Sequence, residues 1–173
     1  KELEKPHSLI DKLMLDIFAR RIEESKPDLV AFTIPFPGNL YSGLRCAQWI
    51  RINFPSTKIA MGGGYVNTEL RSLSDPAIFN YTDYLLYDDG ELPLFRLLTG
   101  GELIRTLYRN DEGEIVRVNF DSKENVPFAE TGTPSYDGLL QNNYLNLIEL
   151  TNPMHALWSN GRWNKMILAH GCY

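Results

Sequence analysis

The sequence predicts an α/β protein with a doubly wound parallel sheet, helices on both faces, a β-hairpin and an irregular C-terminal linker. Asp28–Ile34 is an apolar run without polar alternation, which is typical of a strand buried on both faces. As far as Gly101, helical segments alternate with short apolar runs, as parallel strands joined by helical crossovers require. From Glu102 onward the alternation becomes that of paired strands.

Composition limits the classes of protein. The chain has 173 residues, 43% of them hydrophobic, which suits one domain with an appendage. The chain has 22 acidic and 17 basic residues, and its Lys and Arg residues do not cluster in the sequence. This charge pattern disfavours nucleic-acid and anionic-membrane partners. Cys46 and Cys172 are too few and too far apart for a disulfide framework, so we expect a cytoplasmic protein. The sequence shows no membrane-spanning run and no signal-peptide pattern.

The first predicted element is an amphipathic helix that begins after Ser8 and ends near Ser25, before Pro27. Its apolar residues recur at spacings of three and four: Ile10, Met14, Ile17, Phe18 and Ile22. After the strand Asp28–Ile34, Asn39 is the predicted N-cap of a second helix. The residues predicted to face the sheet are Leu40, Leu44, Ala47, Ile50 and Phe54.

Two further strands complete the parallel part of the predicted sheet, Lys58–Met61 and Asp83–Asp88. A short helix is predicted at Asn67–Leu73 between them. A last helix begins at Glu91, carries Pro93 in its first turn and ends at Gly100 and Gly101.

The remainder predicts a hairpin of Leu103–Arg109 and Glu114–Phe120 around a turn that contains Gly113. Residues 121–153 predict a linker crossed by a short helix at Tyr144–Glu149. A final strand is expected at Lys165–Ala169.

Two segments point to a ligand site at the carboxyl edge of the sheet, where ligands of open α/β sheets bind. Gly62–Gly64 follow a strand and permit close approach of the backbone to a ligand, although a tight turn needed only for packing has the same pattern. Pro35–Asn39 lead into a helix whose N–H groups suit a phosphate or another polar group. Neither a G-x-G-x-x-G fingerprint nor a P-loop is present.

Two other stretches are ambiguous by themselves. Asp88-Asp89-Gly90-Glu91 places acidic residues at a helix N-terminus, where they are favourable for the dipole alone. Cys172 follows an apolar strand in His170-Gly171-Cys172, whereas Cys46 lies inside an amphipathic helix and reads as packing.

Taken together, these stretches resemble the cobalamin (B12)-binding, Rossmann-like (flavodoxin-like) domain of radical S-adenosylmethionine enzymes. The resemblance rests on Pro-Phe-Pro-Gly-Asn after one strand, Gly-Gly-Gly-Tyr after the next, and Asp-Asp-Gly-Glu before the last helix. In that family a Gly-Glu-Gly-Glu-like segment stands at the third place, so the first two positions depart from the pattern. Residues 163–173 resemble the first strand of the catalytic barrel and the start of its cysteine cluster.

The resemblance implies that cobalamin lies on the carboxyl edge of the sheet, between this domain and the barrel of the parent protein. It also implies that Cys172 is the first ligand of a [4Fe–4S] cluster that binds S-adenosylmethionine. The other cluster cysteines would lie beyond Tyr173, so the chain alone is expected to be inactive and no catalytic residue is assigned. The implied cofactor-binding residues are Thr33, Pro35, Phe36, Pro37, Gly38, Asn39, Gly62, Gly63, Gly64, Tyr65, Gly90 and Glu91.

The predicted domains are residues 1–101 for the cobalamin-binding part, 102–164 for the hairpin and linker, and 165–173 for the start of the barrel. Further strands of the sheet are expected upstream of Lys1. Two alternatives stay open. One is a degenerate Rossmann-like scaffold or interaction module that binds no cofactor, and the other is a flavodoxin-like domain for a flavin or another nucleotide.

Overall fold

The computed structural model of the protein describes residues 2–132, 135, 137 and 138. The chain divides into two compact units, Lys1–Val126 and Pro127–Tyr173, and the second has one described element, a 3₁₀ turn at Phe128–Glu130. The predicted linker helix, the predicted final strand and Cys172 lie outside the described residues.

A five-stranded sheet organises the first unit, and its strands follow one another in sequence order. The first three strands are parallel, and the last two form an antiparallel hairpin that extends the same sheet. The α/β class and the three parallel strands are therefore confirmed, in an open sheet that is mixed. The strands are β1 (Leu29–Thr33), β2 (Lys58–Gly62), β3 (Tyr84–Leu86), β4 (Thr106–Arg109) and β5 (Ile115–Val118).

Four α-helices accompany these strands, and none in the described part of the chain is long and apolar enough to cross a membrane. The short helix predicted at Asn67–Leu73 begins earlier, because Gly63 turns the chain directly after β2. β3 is shorter than predicted, since Asp88 has a left-handed φ of 60° that cannot continue a strand. The helices are α1 (Leu9–Ser25), α2 (Pro37–Asn53), α3 (Gly64–Thr68) and α4 (Glu91–Thr99), with a 3₁₀ turn at Pro76–Asn80.

Helix α2 covers one face of the sheet as predicted. Ala47 and Ile50 are fully buried, and the rest of the predicted stripe packs against the same core. The prediction for its N-cap is wrong: the cap residue is Phe36, and Pro37 is the first helical residue. Proline suits that position because its fixed φ is already helical, and Asn39 consequently lies within the first turn.

Helix α1 begins with the predicted capping box. The Ser8 hydroxyl accepts a hydrogen bond from the Asp11 N–H (3.1 Å), and the Asp11 carboxylate accepts one from the Ser8 N–H (2.9 Å). The predicted buried face is wrong in part, because Ile10 and Ile17 are 77% and 60% exposed. The helix instead turns Asp11 inward, with Leu15 and Ile22 buried on the same side.

A polar network explains this rotation of α1. Arg45 of α2 is buried and donates to the carbonyl of Leu3 (2.9 Å) and to the hydroxyl of Tyr41 (2.8 Å). Tyr41 in turn donates to the Asp11 carboxylate (3.1 Å). Facing Asp11 toward Tyr41 and Arg45 gives the carboxylate a hydroxyl donor and a nearby cation, 3.9 Å from the Arg45 Nε, and this outweighs burial of Ile10 and Ile17.

The burial predicted for β1 is also wrong. Val30 and Phe32 pack against the core, but Ala31 and Thr33 are exposed. The strand order places β1 at the end of the sheet, so in the described chain β2 is the strand that pairs with it.

The Asp11 network predicts a pH-dependent stability. The hydrogen bond from the Ser8 backbone, together with the Ser8 and Tyr41 hydroxyls and the charge of Arg45, holds the pKa of Asp11 below its ordinary value despite burial. A lowered native pKa stabilises the fold above the unfolded pKa of about 4, and this contribution is lost as the pH falls through the native pKa. In urea titrations, Asp11→Asn should therefore be less stable than the wild type at pH 7, and the difference should shrink below about pH 4. Asp16→Asn, with a side chain 75% exposed, is the control and should show little difference at either pH.

Candidate functional site

Three chain segments meet at the carboxyl ends of the parallel strands, and together we call them the carboxyl edge. They are residues 33–39 after β1, residues 62–65 at the end of β2, and residues 88–91 after β3. Since β1, β2 and β3 run in the same direction, their carboxyl ends share one side of the sheet.

Hydrogen bonds join the three segments of the carboxyl edge. The Ile34 N–H donates to the Gly62 carbonyl (2.7 Å), and the Tyr65 N–H donates to the Ile34 carbonyl (3.0 Å). Asn67 of α3 then reaches the third segment, because its amide oxygen accepts from the Asp88 N–H (2.7 Å). These bonds connect the start of the first segment with the second, and connect Asn67, two residues beyond the second segment, with the start of the third.

The first segment is the most open part of the carboxyl edge. Every residue of Pro35–Asn39 is exposed, and the Phe36 ring is 69% exposed. No side chain caps the N-terminus of α2, and a Cβ added to Gly38 would meet nothing within 4 Å. The segment therefore offers an aromatic surface beside free space and a helix N-terminus.

The glycine triplet serves contacts within the protein. A Cβ on Gly63 would lie 2.9 Å from both the nitrogen and the oxygen of Ile34. Cβ atoms on Gly62 and Gly64 would lie 3.2 Å and 3.3 Å from the carbonyl oxygens of Leu86 and Pro35. The backbone of neighbouring segments therefore already occupies the space that these glycines leave, and this packing accounts for all three residues.

The third segment begins with a charge cluster that the sequence did not predict. The two terminal guanidinium nitrogens of Arg71 donate hydrogen bonds to the two Asp88 carboxylate oxygens, at 2.6 and 3.2 Å. This hydrogen bond and the charge of Asp88 raise the pKa of Arg71 further above its ordinary value. The Asp88 carboxylate is therefore engaged by a side chain 17 residues away, and a cap or helix-dipole role alone does not describe it.

Arg105 completes this cluster from the start of the hairpin. It is 3% exposed and has a left-handed φ of 42°. Its Nη1 donates to the carbonyls of Ser122 (3.2 Å) and Glu124, while its Nε lies 3.7 Å from the Asp88 carboxylate. Nothing in the local sequence around Arg71 or Arg105 signals this arrangement, because the partners are distant along the chain.

After Asp88 in the sequence, the remaining predicted residues of the third segment lie at the start of α4. Gly90 is its N-cap and Glu91 its first residue, both exposed, and no side chain caps this helix. A Cβ on Gly90 would also meet nothing within 4 Å. Free space at the carboxyl edge therefore lies beside Gly38 and Gly90, and the middle segment between them is tightly packed.

A cavity of about 360 Å³ lies elsewhere, at the amino ends of β2 and β3. Lys58, Asp83 and the neighbouring rings of Tyr84 and Tyr108 line it. Asp83 is engaged there by Arg51 (2.9 Å) and by the Ile59 N–H (2.7 Å). The carboxyl edge is thus an open surface, and the cavity lies at the opposite end of these strands.

The described residues contain no group of three or more His, Cys, Asp and Glu side chains that could hold a metal ion.

Cys46 is buried in α2, in agreement with the packing role predicted for it, and burial raises the pKa of its thiol to about 11.

This pKa predicts an unreactive thiol. In a Cys172→Ser background, Cys46 should react with a thiol reagent at pH 8 many times more slowly in the native protein than in urea, because the thiolate is scarce and buried. Native and unfolded rates that agree within a factor of about two would contradict the buried position of Cys46.

Comparison of the chain with protein-family models, with curated proteins and with solved structures finds no match. The carboxyl edge is therefore characterised by its own geometry.

Proposed function

We propose that the chain is a cofactor-binding domain of a cobalamin-dependent radical S-adenosylmethionine enzyme, and that cobalamin binds at the carboxyl edge of a doubly wound sheet. The observation that carries the proposal is the convergence of three strand-end segments, two of which leave free space beside Gly38 and Gly90. Ligands of open α/β sheets bind at such an edge.

The residues of the first segment suit a large, partly apolar ring system. Phe36 presents its exposed ring beside Gly38, and apolar and aromatic surface is the usual lining of cofactor sites. At the N-terminus of α2, Pro37 has no N–H and the Asn39 N–H donates to the Phe36 carbonyl (3.0 Å), which leaves the Gly38 N–H as a donor for a polar group at the rim of the ring. When bound, cobalamin would supply the radical or group-transfer chemistry, and this chain would bind and orient it.

In this proposal Gly62–Gly64 have a supporting part. Their side-chain positions are filled by protein backbone, so they would support the edge and leave direct contact to residues 35–39 and 90–91. The iron–sulfur cluster belongs to the parent protein in this proposal. Its proposed ligand, Cys172, lies outside the described residues.

Equilibrium dialysis of the 173-residue chain against hydroxocobalamin tests the proposal. Saturable binding of one cobalamin per chain is the expected result. Gly38→Trp should weaken this binding about tenfold or more, a loss of about 1.4 kcal/mol, because the new ring fills the free space. Ser56→Trp is the control, since Ser56 is exposed in the loop that precedes β2 at the other end of the sheet. Absence of binding by a folded wild-type chain, or equal binding by Gly38→Trp, would refute the proposed site.

A second candidate is a module that binds no cofactor, and the packing of Gly62–Gly64 favours it, because that packing explains the triplet without a ligand. A folded chain that binds neither hydroxocobalamin nor flavin mononucleotide would support this candidate. Binding of the flavin alone would support a flavodoxin-like function.

A further inference from the structure

The cavity at the amino ends of β2 and β3 is a second place where the first unit can hold a small molecule. Its volume of about 360 Å³ lies within the range of ligand pockets. The start of β2, the residues just before β3, β3 itself and the end of β4 with the hairpin turn all contribute to its lining. No residue of the carboxyl edge does, so the cavity is independent of the cobalamin site proposed above.

Two tyrosines form an aromatic wall of this cavity, and we call them the tyrosine pair. Tyr84 of β3 and Tyr108 of β4 are direct partners in the antiparallel ladder, and their ring centres are 6.3 Å apart. Both rings are partly buried, and neither hydroxyl has a hydrogen-bond partner among the described residues. The pair therefore offers ring surface for a planar group and two hydroxyls that a ligand can bond.

Lys58 lies on the same face of the sheet as the tyrosine pair. Ala60 is the ladder partner of Tyr84, and side chains two residues apart in a strand share a face. The Lys58 ammonium lies 3.8 Å from the Asp83 carboxylate, beyond hydrogen-bond distance, and the side chain is 59% exposed. Asp83 already has a closer cation in Arg51, at 2.9 Å. The ammonium of Lys58 consequently keeps its donors for a ligand.

Arg109, at the end of β4, brings a second cation to the lining. Its terminal nitrogens donate to the Phe79 carbonyl and to the Asn80 amide oxygen, both at 3.3 Å. These acceptors are uncharged, and in the part of the chain that the structure describes no carboxylate pairs with Arg109. The positive charge of Arg109 is therefore not balanced by an ion pair.

The charges around the cavity leave an excess of positive charge. Two acidic side chains line it, Asp83 and Asp111, and Arg51 neutralises the first of them. Asp111 is exposed in the hairpin turn, so water screens much of its charge. Lys58 and Arg109 are thus opposed by one solvated carboxylate, and this balance favours an anionic ligand.

We propose that this cavity binds a small anion that carries a planar ring, either a nucleoside monophosphate or an aromatic carboxylate. The ring packs on the tyrosine pair, and the phosphate or carboxylate group accepts hydrogen bonds from Lys58 and Arg109. Phosphate and carboxylate are the anionic groups that lysine and arginine side chains bind in proteins. The tests below distinguish the two.

Isothermal titration calorimetry of the 173-residue chain at low salt tests the proposal with two probes, AMP and indole-3-acetate. Adenosine and indole-3-acetamide are their uncharged counterparts. At least one anion should bind with a dissociation constant below about 1 mM, and its uncharged counterpart should bind about fivefold more weakly or worse. Amide chemical-shift mapping should place the bound anion at Tyr84, Tyr108 and Asn110, away from Gly38 and Gly90.

Three variants test the roles of the charges. Lys58→Gln should weaken binding of the anion about fivefold and leave binding of its uncharged counterpart unchanged. Asp111→Asn should strengthen binding of the anion, because it removes the opposing charge. Lys12→Gln, which replaces an exposed lysine of α1, is the matched control and should bind like the wild type. Thermal melts should show that all three variants fold normally.

Three results would overturn this proposal. The first is that a folded wild-type chain binds neither AMP nor indole-3-acetate. The second is that each anion binds no more tightly than its uncharged counterpart, because the excess positive charge then has no role in binding. The third is that Lys12→Gln weakens binding as much as Lys58→Gln, since the effect of charge would then not belong to the cavity.

Discussion

Replacing Gly63 by alanine is expected to lower the free energy of unfolding by about 3 kcal/mol or more. Two effects add at this position. Gly63 has a φ of 102°, which L side chains rarely adopt, and a new Cβ would lie 2.9 Å from two backbone atoms of Ile34. Backbone cannot move aside as a flexible side chain can, so the ends of β1 and β2 would have to separate. Urea unfolding followed by circular dichroism measures the loss.

Gly38→Ala is the matched control for this prediction. Gly38 lies in the first turn of α2, and its Cβ would meet nothing within 4 Å. Alanine is preferred over glycine in helices, so this variant should be equal to the wild type or more stable by up to about 1 kcal/mol. A Gly63→Ala variant as stable as Gly38→Ala would show that β1 and β2 do not approach each other as described.

Replacing Arg45 by methionine is expected to cost about 3 kcal/mol of stability, because it removes the charge at the centre of a buried network. Arg45 is 2% exposed and donates to the Leu3 carbonyl, to Gln48 and to Tyr41. Methionine keeps much of the aliphatic volume, so the loss reports on the polar contacts. Without them, the buried Asp11 carboxylate loses its cation and the segment that contains Leu3 loses its anchor.

Arg20→Met provides the comparison on α1. The Arg20 side chain is 65% exposed, and its contact with Asp16 is an ordinary surface pair. Its loss should change stability by no more than about 0.5 kcal/mol. Equal unfolding midpoints for Arg45→Met and Arg20→Met would contradict the buried network between α1 and α2.

Elements with strong local signals were predicted well from the sequence. The Ser8 capping box, Pro93 in the first turn of α4 and the end of that helix at Gly100 all depend on residues within one or two turns of each other. The hairpin follows from Gly113, whose φ of 87° suits the turn between β4 and β5. In each case the local backbone preference agrees with the final structure.

Features set by distant residues could not be predicted in the same way. The apolar sequence of β1 is the same whether the strand is central or at an edge, and its position depends on strand order. The rotation of α1 depends on Tyr41 and Arg45, which lie about 30 residues away from Asp11. The left-handed conformations of Asp88 and Arg105 could not be predicted either, because such conformations are expected at glycine and these residues are not glycine.

For the candidate site, the order of the strands in the sequence predicts the carboxyl edge, whereas the contacts of its glycines are seen only in the structure. The three strand-end segments meet as their order along the chain predicts. The pattern of Gly62–Gly64 could not distinguish a ligand surface from packing, because both require the absence of a Cβ. The contacts of these glycines with Ile34, Leu86 and Pro35 account for the triplet by packing.

The central claim is that cobalamin binds at the carboxyl edge, and amide chemical-shift mapping tests it most directly. Hydroxocobalamin added to the ¹⁵N-labelled chain should shift the signals of Phe36, Gly38, Asn39, Gly90 and Glu91 and leave those around Tyr84 and Tyr108 unchanged. Absence of any shift at saturating cobalamin, or shifts confined to the cavity at the amino ends of β2 and β3, would contradict the proposed site.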